Sequence, residues 1–283
     1  MRVGVAAVFN GMAVPIFASL LLGSPATAQE GNYLKNVERC NGAARFSPQA
    51  RIEGCTAFIQ AAQGSTTALA IAYNNRGAAH AATGDYDRAI QDFDASIKLN
   101  DNYIKPVNNR GVAYLRKGEY DVAIRAFDGA IKLKGDYAEA YANRAEAYLK
   151  KREYENATRD FDEAIRFNLH LGQVWNGRCW ARAILGALDA ALEDCNKALQ
   201  SGAANAATYD SRALIYLKMG QLSAAIDDYN LALRFDPKLA SALYGRGYAK
   251  LKNGDKAGSD SDIAAAKTID AEVSANFSRY GVR

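Results

Sequence analysis

Arginine recurs at one fixed spacing in this chain: Arg76, Arg110, Arg144, Arg178, Arg212 and Arg246 each follow the last by 34 residues. A single globular core sets no such period. A strict repeat of this length means that one supersecondary unit is copied and stacked, each copy burying its apolar faces against its neighbours. With arginine as the seventh residue, the repeats begin at Ala70, Ile104, Ala138, Gly172, Ala206 and Ala240.

Other positions keep the same register. The eighth residue is small (Gly77, Gly111, Ala145, Cys179, Ala213, Gly247), and the twentieth is Ala89, Ala123, Ala157, Ala191, Ala225 and Ser259. The twenty-fourth is mostly large and apolar: Phe93, Phe127, Phe161 and Tyr229. Small residues at two facing positions let a pair of antiparallel helices approach closely, and the aromatic fills the space beside them. Between the helices stand Gly84, Gly118, Gly186, Gly220 and Gly254, where a left-handed residue ends a helix. Asp85 and Asp255 follow as N-caps. Ala89, Phe93 and Ile97, four apart, give the second helix one apolar face.

The stretch Asn75-Arg76-Gly77 and the run Gly84-Asp85-Tyr86-Asp87-Arg88-Ala89-Ile90 resemble the tetratricopeptide repeat, as does Asp236-Pro237. The resemblance covers 70–273 and implies an all-α, right-handed solenoid of stacked helix–turn–helix repeats. Arg152 stands where the other repeats carry the turn glycine, and Gly135, Leu169 and Ala203 where proline is usual. The sixth repeat departs furthest: Lys256, Ser259 and Asp260 replace aromatic, alanine and aliphatic residues, as suits a stack end that meets water. Val273, Phe277 and Tyr280 place one last short helix over it.

Residues 1–28 stand apart. Arg2 precedes an almost uncharged stretch from Val3 to Leu22, and Ser24-Pro25-Ala26-Thr27-Ala28 ends it. Small residues at Ala26 and Ala28 predict a secretory leader cleaved after Ala28, with an N-terminal membrane anchor as the alternative. The mature chain is then periplasmic or secreted, without stable membrane insertion, in a compartment that permits disulfides. The expected organisation is a leader over 1–28, a cysteine-containing helical hairpin over 29–69, six repeats over 70–273 and a C-terminal cap over 274–283.

Four cysteines interrupt the pattern. Cys179 and Cys195 take the eighth and twenty-fourth positions of the fourth repeat. Arg39-Cys40 parallels Arg178-Cys179, and Ile52-Glu53-Gly54-Cys55 parallels Leu192-Glu193-Asp194-Cys195, so 32–63 reads as a divergent hairpin whose second helix starts at Ser47-Pro48. Two readings stand. One is a pair of disulfides, Cys40–Cys55 and Cys179–Cys195. The other is four buried thiols, because facing helix axes lie roughly 8–10 Å apart.

Catalytic chemistry finds little support. His80 and His170 are the only histidines, and neither has ligand spacing to a cysteine, so neither metal nor cofactor is expected. There is no Cys-x-x-Cys and no nucleophile–base constellation. A formal charge of +4 without a basic run argues against nucleic acid.

The family resemblance implies that the first helix of each repeat lines a concave groove. Transferred by position, its residues include Asn74, Asn75, Asn108, Asn109 and Asn143 in the first half, and Trp180, Tyr244 and Tyr248 towards the C-terminus. Side-chain amides can pair with the backbone of an extended peptide, and aromatics can anchor apolar side chains. The alternative is that the asparagines tie neighbouring helices together. A carboxylate clamp of the kind some family members carry is not supported, since Asn74, Glu139 and Asn143 occupy its basic positions.

The arginines have candidate partners at position 23: Asp92, Asp160, Asp194, Asp228 and Asp262, with Ala126 in the second repeat. Arg110 therefore either borrows Asp92 or Asp160 from a neighbour or meets an acidic ligand. The expected function is a non-enzymatic protein- or peptide-binding scaffold or assembly factor of the cell envelope. A self-associating structural spacer and an accessory subunit of an envelope enzyme are the alternatives.

Overall fold

The computed structural model describes residues 25–42, 45–61 and 64–282. Residues 1–24 of the leader expected over 1–28 lie outside them, and the expected cleavage after Ala28 falls within the first helix. No helix among the described residues is long and apolar enough to cross a membrane.

All regular structure among the described residues is helical. An N-terminal hairpin of α1 (Pro25–Asn41) and α2 (Pro48–Ala61) precedes six further pairs. These are α3 (Thr66–Ala82) with α4 (Tyr86–Leu99), α5 (Ile104–Lys117) with α6 (Tyr120–Leu133), and α7 (Ala138–Lys151) with α8 (Tyr154–Arg166). Then come α9 (Gly172–Leu185) with α10 (Leu188–Gln200), α11 (Ala206–Lys218) with α12 (Leu222–Phe235), and α13 (Ala240–Lys252) with α14 (Lys256–Ile269). A short α15 (Val273–Arg279) closes the chain. Successive first helices touch one another from α3 through α13, whereas among the described residues the second helices do not. The result is an all-α solenoid whose first helices form the inner, concave side.

Local chemistry sets the boundaries. From α5 to α13 every first helix begins at the first residue of its repeat. The helix α3 begins one turn early, at Thr66, because Ser65 Oγ accepts from the Ala68 amide and caps it there. Asp85 and Asp255 accept from the amides of Arg88 and Gly258, as N-caps do. Arg152 takes the left-handed turn with φ 63°, so α8 starts on schedule despite the missing glycine. That conformation costs a non-glycine residue about 1 kcal/mol.

Close packing follows the small positions. A Cβ added at Gly77 would lie 2.7 Å from the Phe93 ring, and one at Gly111 2.5 Å from Phe127. Both rings are buried, each contributing about 1.5–3 kcal/mol. The cysteines occupy this same point of closest approach. Cys40 and Cys55 are joined, with Cα atoms 4.5 Å apart, and so are Cys179 and Cys195, at 5.4 Å. The axis separation does not prevent bridging, because the small side chains bring the two backbones together here. In the chain-entropy model each loop of about 15 residues contributes roughly 3 kcal/mol.

Candidate functional site

The concave face changes character along its length. Over the first three repeats it is polar, and its asparagines are bonded across helices. Asn75 Nδ2 donates to Asn41 Oδ1 (3.2 Å), Asn109 Nδ2 to Asn74 Oδ1 (3.0 Å) and Asn143 Nδ2 to Asn108 Oδ1 (3.1 Å). Asn74 and Asn108 are buried, so their amides hold neighbouring helices and present little to a ligand. Asn109 and Asn143 keep their Oδ1 atoms without a partner among the described residues. Around them Lys105, Glu139 and Lys150 are exposed, and Arg116 donates to Glu146 at 3.5 Å.

The arginine ladder runs beside this face. In five repeats Nε and Nη2 grip both oxygens of the aspartate sixteen residues on, at 2.6–2.9 Å. Such bidentate, charge-assisted pairs offset the desolvation of both partners. At Asp262, burial acts to raise the carboxyl, yet the bonds from Arg246 and Lys250 hold it below the ordinary carboxylate range.

A second set of partners lies outside the hairpin. Each Nη1 reaches back sixteen residues into the preceding repeat: Arg110 to Asp94, Arg144 to Asp128, Arg178 to Asp162, Arg212 to Asn196 and Arg246 to Asn230. Arg76 reaches Thr56 of α2 instead. Every rung therefore clips one repeat to the next. The signal was present in the sequence, since Asp94, Asp128 and Asp162 recur in the same period.

Arg110 differs from the rest. It takes neither Asp92 nor Asp160, as the sequence suggested, but Asp94 at 2.5 Å. Its Nε is buried without a hydrogen-bond partner, and the second repeat has Ala126 where the others have the aspartate. The expected opening for an acidic ligand is thus partly closed, by Asp94 on one edge of the guanidinium and by burial on another.

Further along, the groove is apolar and already filled. Phe277 of α15 packs on Tyr244 with ring centroids 4.8 Å apart, and Tyr280 meets Trp180 edge-on at 5.1 Å. Val273, Phe277 and Val282 are buried in one cluster with Leu214, Leu217 and Leu243, and Trp180, Tyr244 and Tyr248 pack against it. The sequence presented Trp180, Tyr244 and Tyr248 as open anchors for a peptide. The structure places them beneath the chain's own C-terminal segment.

Two polar groups lie in the same region. Asp210 Oδ2 accepts from Ser241 Oγ at 2.7 Å, while its Oδ1 and the hydroxyl of Tyr229 are buried without partners. Burial pushes the Asp210 carboxyl up to about 7, and burial together with Asp210 raises Tyr229 well above the usual phenol. Among the described residues no group of His, Cys, Asp and Glu could hold a metal ion.

Tetratricopeptide-repeat models match residues 70–103 and 108–170, and a TPR-repeat model matches 213–254. No curated protein matches the chain. Among solved structures it is similar to a tetratricopeptide repeat protein from Parabacteroides merdae ATCC 43184, at 18% identity and a TM-score of 0.63, covering 89% of this chain and 98% of that one. It is also similar to YrrB, described as a TPR protein with an unusual peptide-binding site (20% identity, TM-score 0.52, 64% and 93% covered). A third is PilW, described as a widely conserved type IV pilus biogenesis factor (16% identity, TM-score 0.63, 71% and 93% covered). At these identities the likeness is one of fold.

Proposed function

The chain belongs to the tetratricopeptide-repeat proteins, and on that premise we propose that it is an exported, non-enzymatic scaffold whose concave face holds a segment of another protein. The observation that carries the reading is the divided groove. Its C-terminal half already seats a stretch of polypeptide through aromatic side chains, while its N-terminal half is open and polar.

In the open half, the Oδ1 atoms of Asn109 and Asn143 offer acceptors to the amides of an extended peptide. Lys105, Glu139 and Lys150 supply charges of both signs, which suits a mixed, polar segment. Export completes the reading: the leader-like residues 1–28 and two disulfides fit an oxidising compartment. The mature chain then comprises the hairpin of 29–69, the repeats of 70–273 and the tail of 274–283. An assembly role in the cell envelope is the form this function takes, in keeping with the likeness of fold to PilW, described as a type IV pilus biogenesis factor.

The test is capture in cells. A photo-crosslinking residue at Lys105 or Lys150 is expected to trap a partner that one at Arg125, exposed on α6, does not. Equal capture from both faces, or none from the groove, overturns the proposal. N-terminal sequencing of the secreted fraction is expected to begin at Gln29, and a chain retaining Met1 removes the export part.

A further inference from the structure

The C-terminal segment does more than cover the end of the stack. A cap needs to shield only α13 and α14 from water. Phe277 does this on Tyr244, but the chain continues. Tyr280 reaches Trp180 on α9, two first helices back, and Val282 returns to the apolar cluster that contains Leu214 and Leu217 of α11. Gly281, with φ 80°, turns the backbone between them. The segment thus crosses the concave face where a groove ligand lies.

How it is held matters equally. A helix of seven residues does not persist alone in water. The amides of Tyr280 and Val282 bond to carbonyls of the segment itself, at Asn276 and Phe277. Among the described residues, the one hydrogen bond from its side chains to the solenoid is between Ser274 Oγ and Tyr244 Oη, at 3.0 Å. Docking therefore rests on apolar burial, which is non-directional. Undocking would leave Trp180, Leu214, Leu217, Tyr244 and Tyr248 facing water together, the kind of patch that marks a binding surface.

We infer that residues 273–282 are a resident ligand of the groove, and that this half of the face takes from a partner a short helix of the same chemistry, with two aromatics three residues apart and an aliphatic residue after them. The inference rests on the groove-binding reading above and adds its regulation: the partner must displace the tail.

The test uses the whole chain and a fluorescent peptide copying residues 270–283. The double variant Phe277→Ala/Tyr280→Ala frees the groove and is expected to bind the peptide about tenfold or more tightly than the wild type, whose site is occupied by its own tail. Adding Trp180→Ala to that variant is expected to abolish the gain. Because loss of Phe277 also uncovers α13, the single variant Tyr280→Ala serves as a second arm that leaves the cap in place; it too is expected to bind more tightly than wild type. Equal binding by wild type and both variants overturns the inference, and so does absence of binding by a Tyr280→Ala protein that melts like the wild type. The assay needs no cellular partner. Capture at Lys105 with equal peptide binding by wild type and both variants would sink the tail's role alone, and the expected peptide binding with no capture at Lys105 would sink the partner reading alone.

Discussion

The two halves of the concave face solve the same packing problem with different chemistry. In the first three repeats, neighbouring helices are tied by amide–amide bonds such as Asn109 to Asn74 and Asn143 to Asn108, and the surface stays open and polar. In the last three, Trp180, Leu214, Tyr244 and Tyr248 make the face apolar, and a face of that kind must be covered. The chain's own tail covers it. A polar lining leaves a groove accessible but binds weakly per unit area, whereas an apolar lining binds well and needs an occupant at all times.

The largest effect that probes this contrast is in the ladder. Arg178→Ala removes the bidentate partner of Asp194, only 1% exposed, leaving it the single bond from Arg182 Nη1 at 2.8 Å, and is expected to destabilise the chain by about 3 kcal/mol in urea melts. Arg110→Ala, in the open half, removes one half-exposed contact to Asp94 and is expected to cost under about 1 kcal/mol. Equal losses would mean that the carboxylate missing at Ala126 makes no energetic difference, since Arg76 and Arg144 in the same half keep their bidentate pairs.

Asp210 provides a pH-dependent test of the covered half. Its carboxyl titrates near 7 in the fold against 3.8 as the ordinary value, so between these the folded chain binds more protons than the unfolded one. Stability therefore falls as pH rises through that window, and the full penalty stands above it. Asp210→Asn is expected to remove this slope and to stabilise the protein at pH 8 by about 2–4 kcal/mol. A variant with the wild-type slope would place the carboxylate in water.

Two smaller changes address the open half. Asn143→Ala breaks one inter-repeat bond and is expected to cost about 1 kcal/mol. Ala126→Asp supplies the carboxylate that Arg110 lacks, satisfying its buried Nε, and is expected to raise the melting temperature by an amount equivalent to about 1 kcal/mol or less. A lowered melting temperature would show that the site has no room for the carboxylate.

Much of this was legible in the sequence because the period fixes register. From α5 onward the first helices start at the first residue of their repeats, since small and aromatic positions leave one way to pair the helices. The period of Asp94, Asp128 and Asp162 is visible, but their pairing with Nη1 of the next repeat is not, because the stacking offset between hairpins is set by the whole interface. The last short helix is legible in Val273, Phe277 and Tyr280, but its reach back across the groove is not. Tyr280 and Trp180 are far apart in the chain and share no repeat position, so no pattern links them. The fourth repeat, where Cys179 and Cys195 replace the small and aromatic pair, lies outside the matched family models.

The backward bridges also change along the ladder, from aspartate at Asp94, Asp128 and Asp162 to asparagine at Asn196 and Asn230. An ion pair adds an attraction between net charges that a guanidinium bonded to a neutral amide lacks, so the stack resembles a spring whose later coils are held less firmly by these bridges. The tail spans those same coils, from α13 back to α9, like a splint over the soft section. A partner that lifts it away would gain its site and at once let that end of the spring flex.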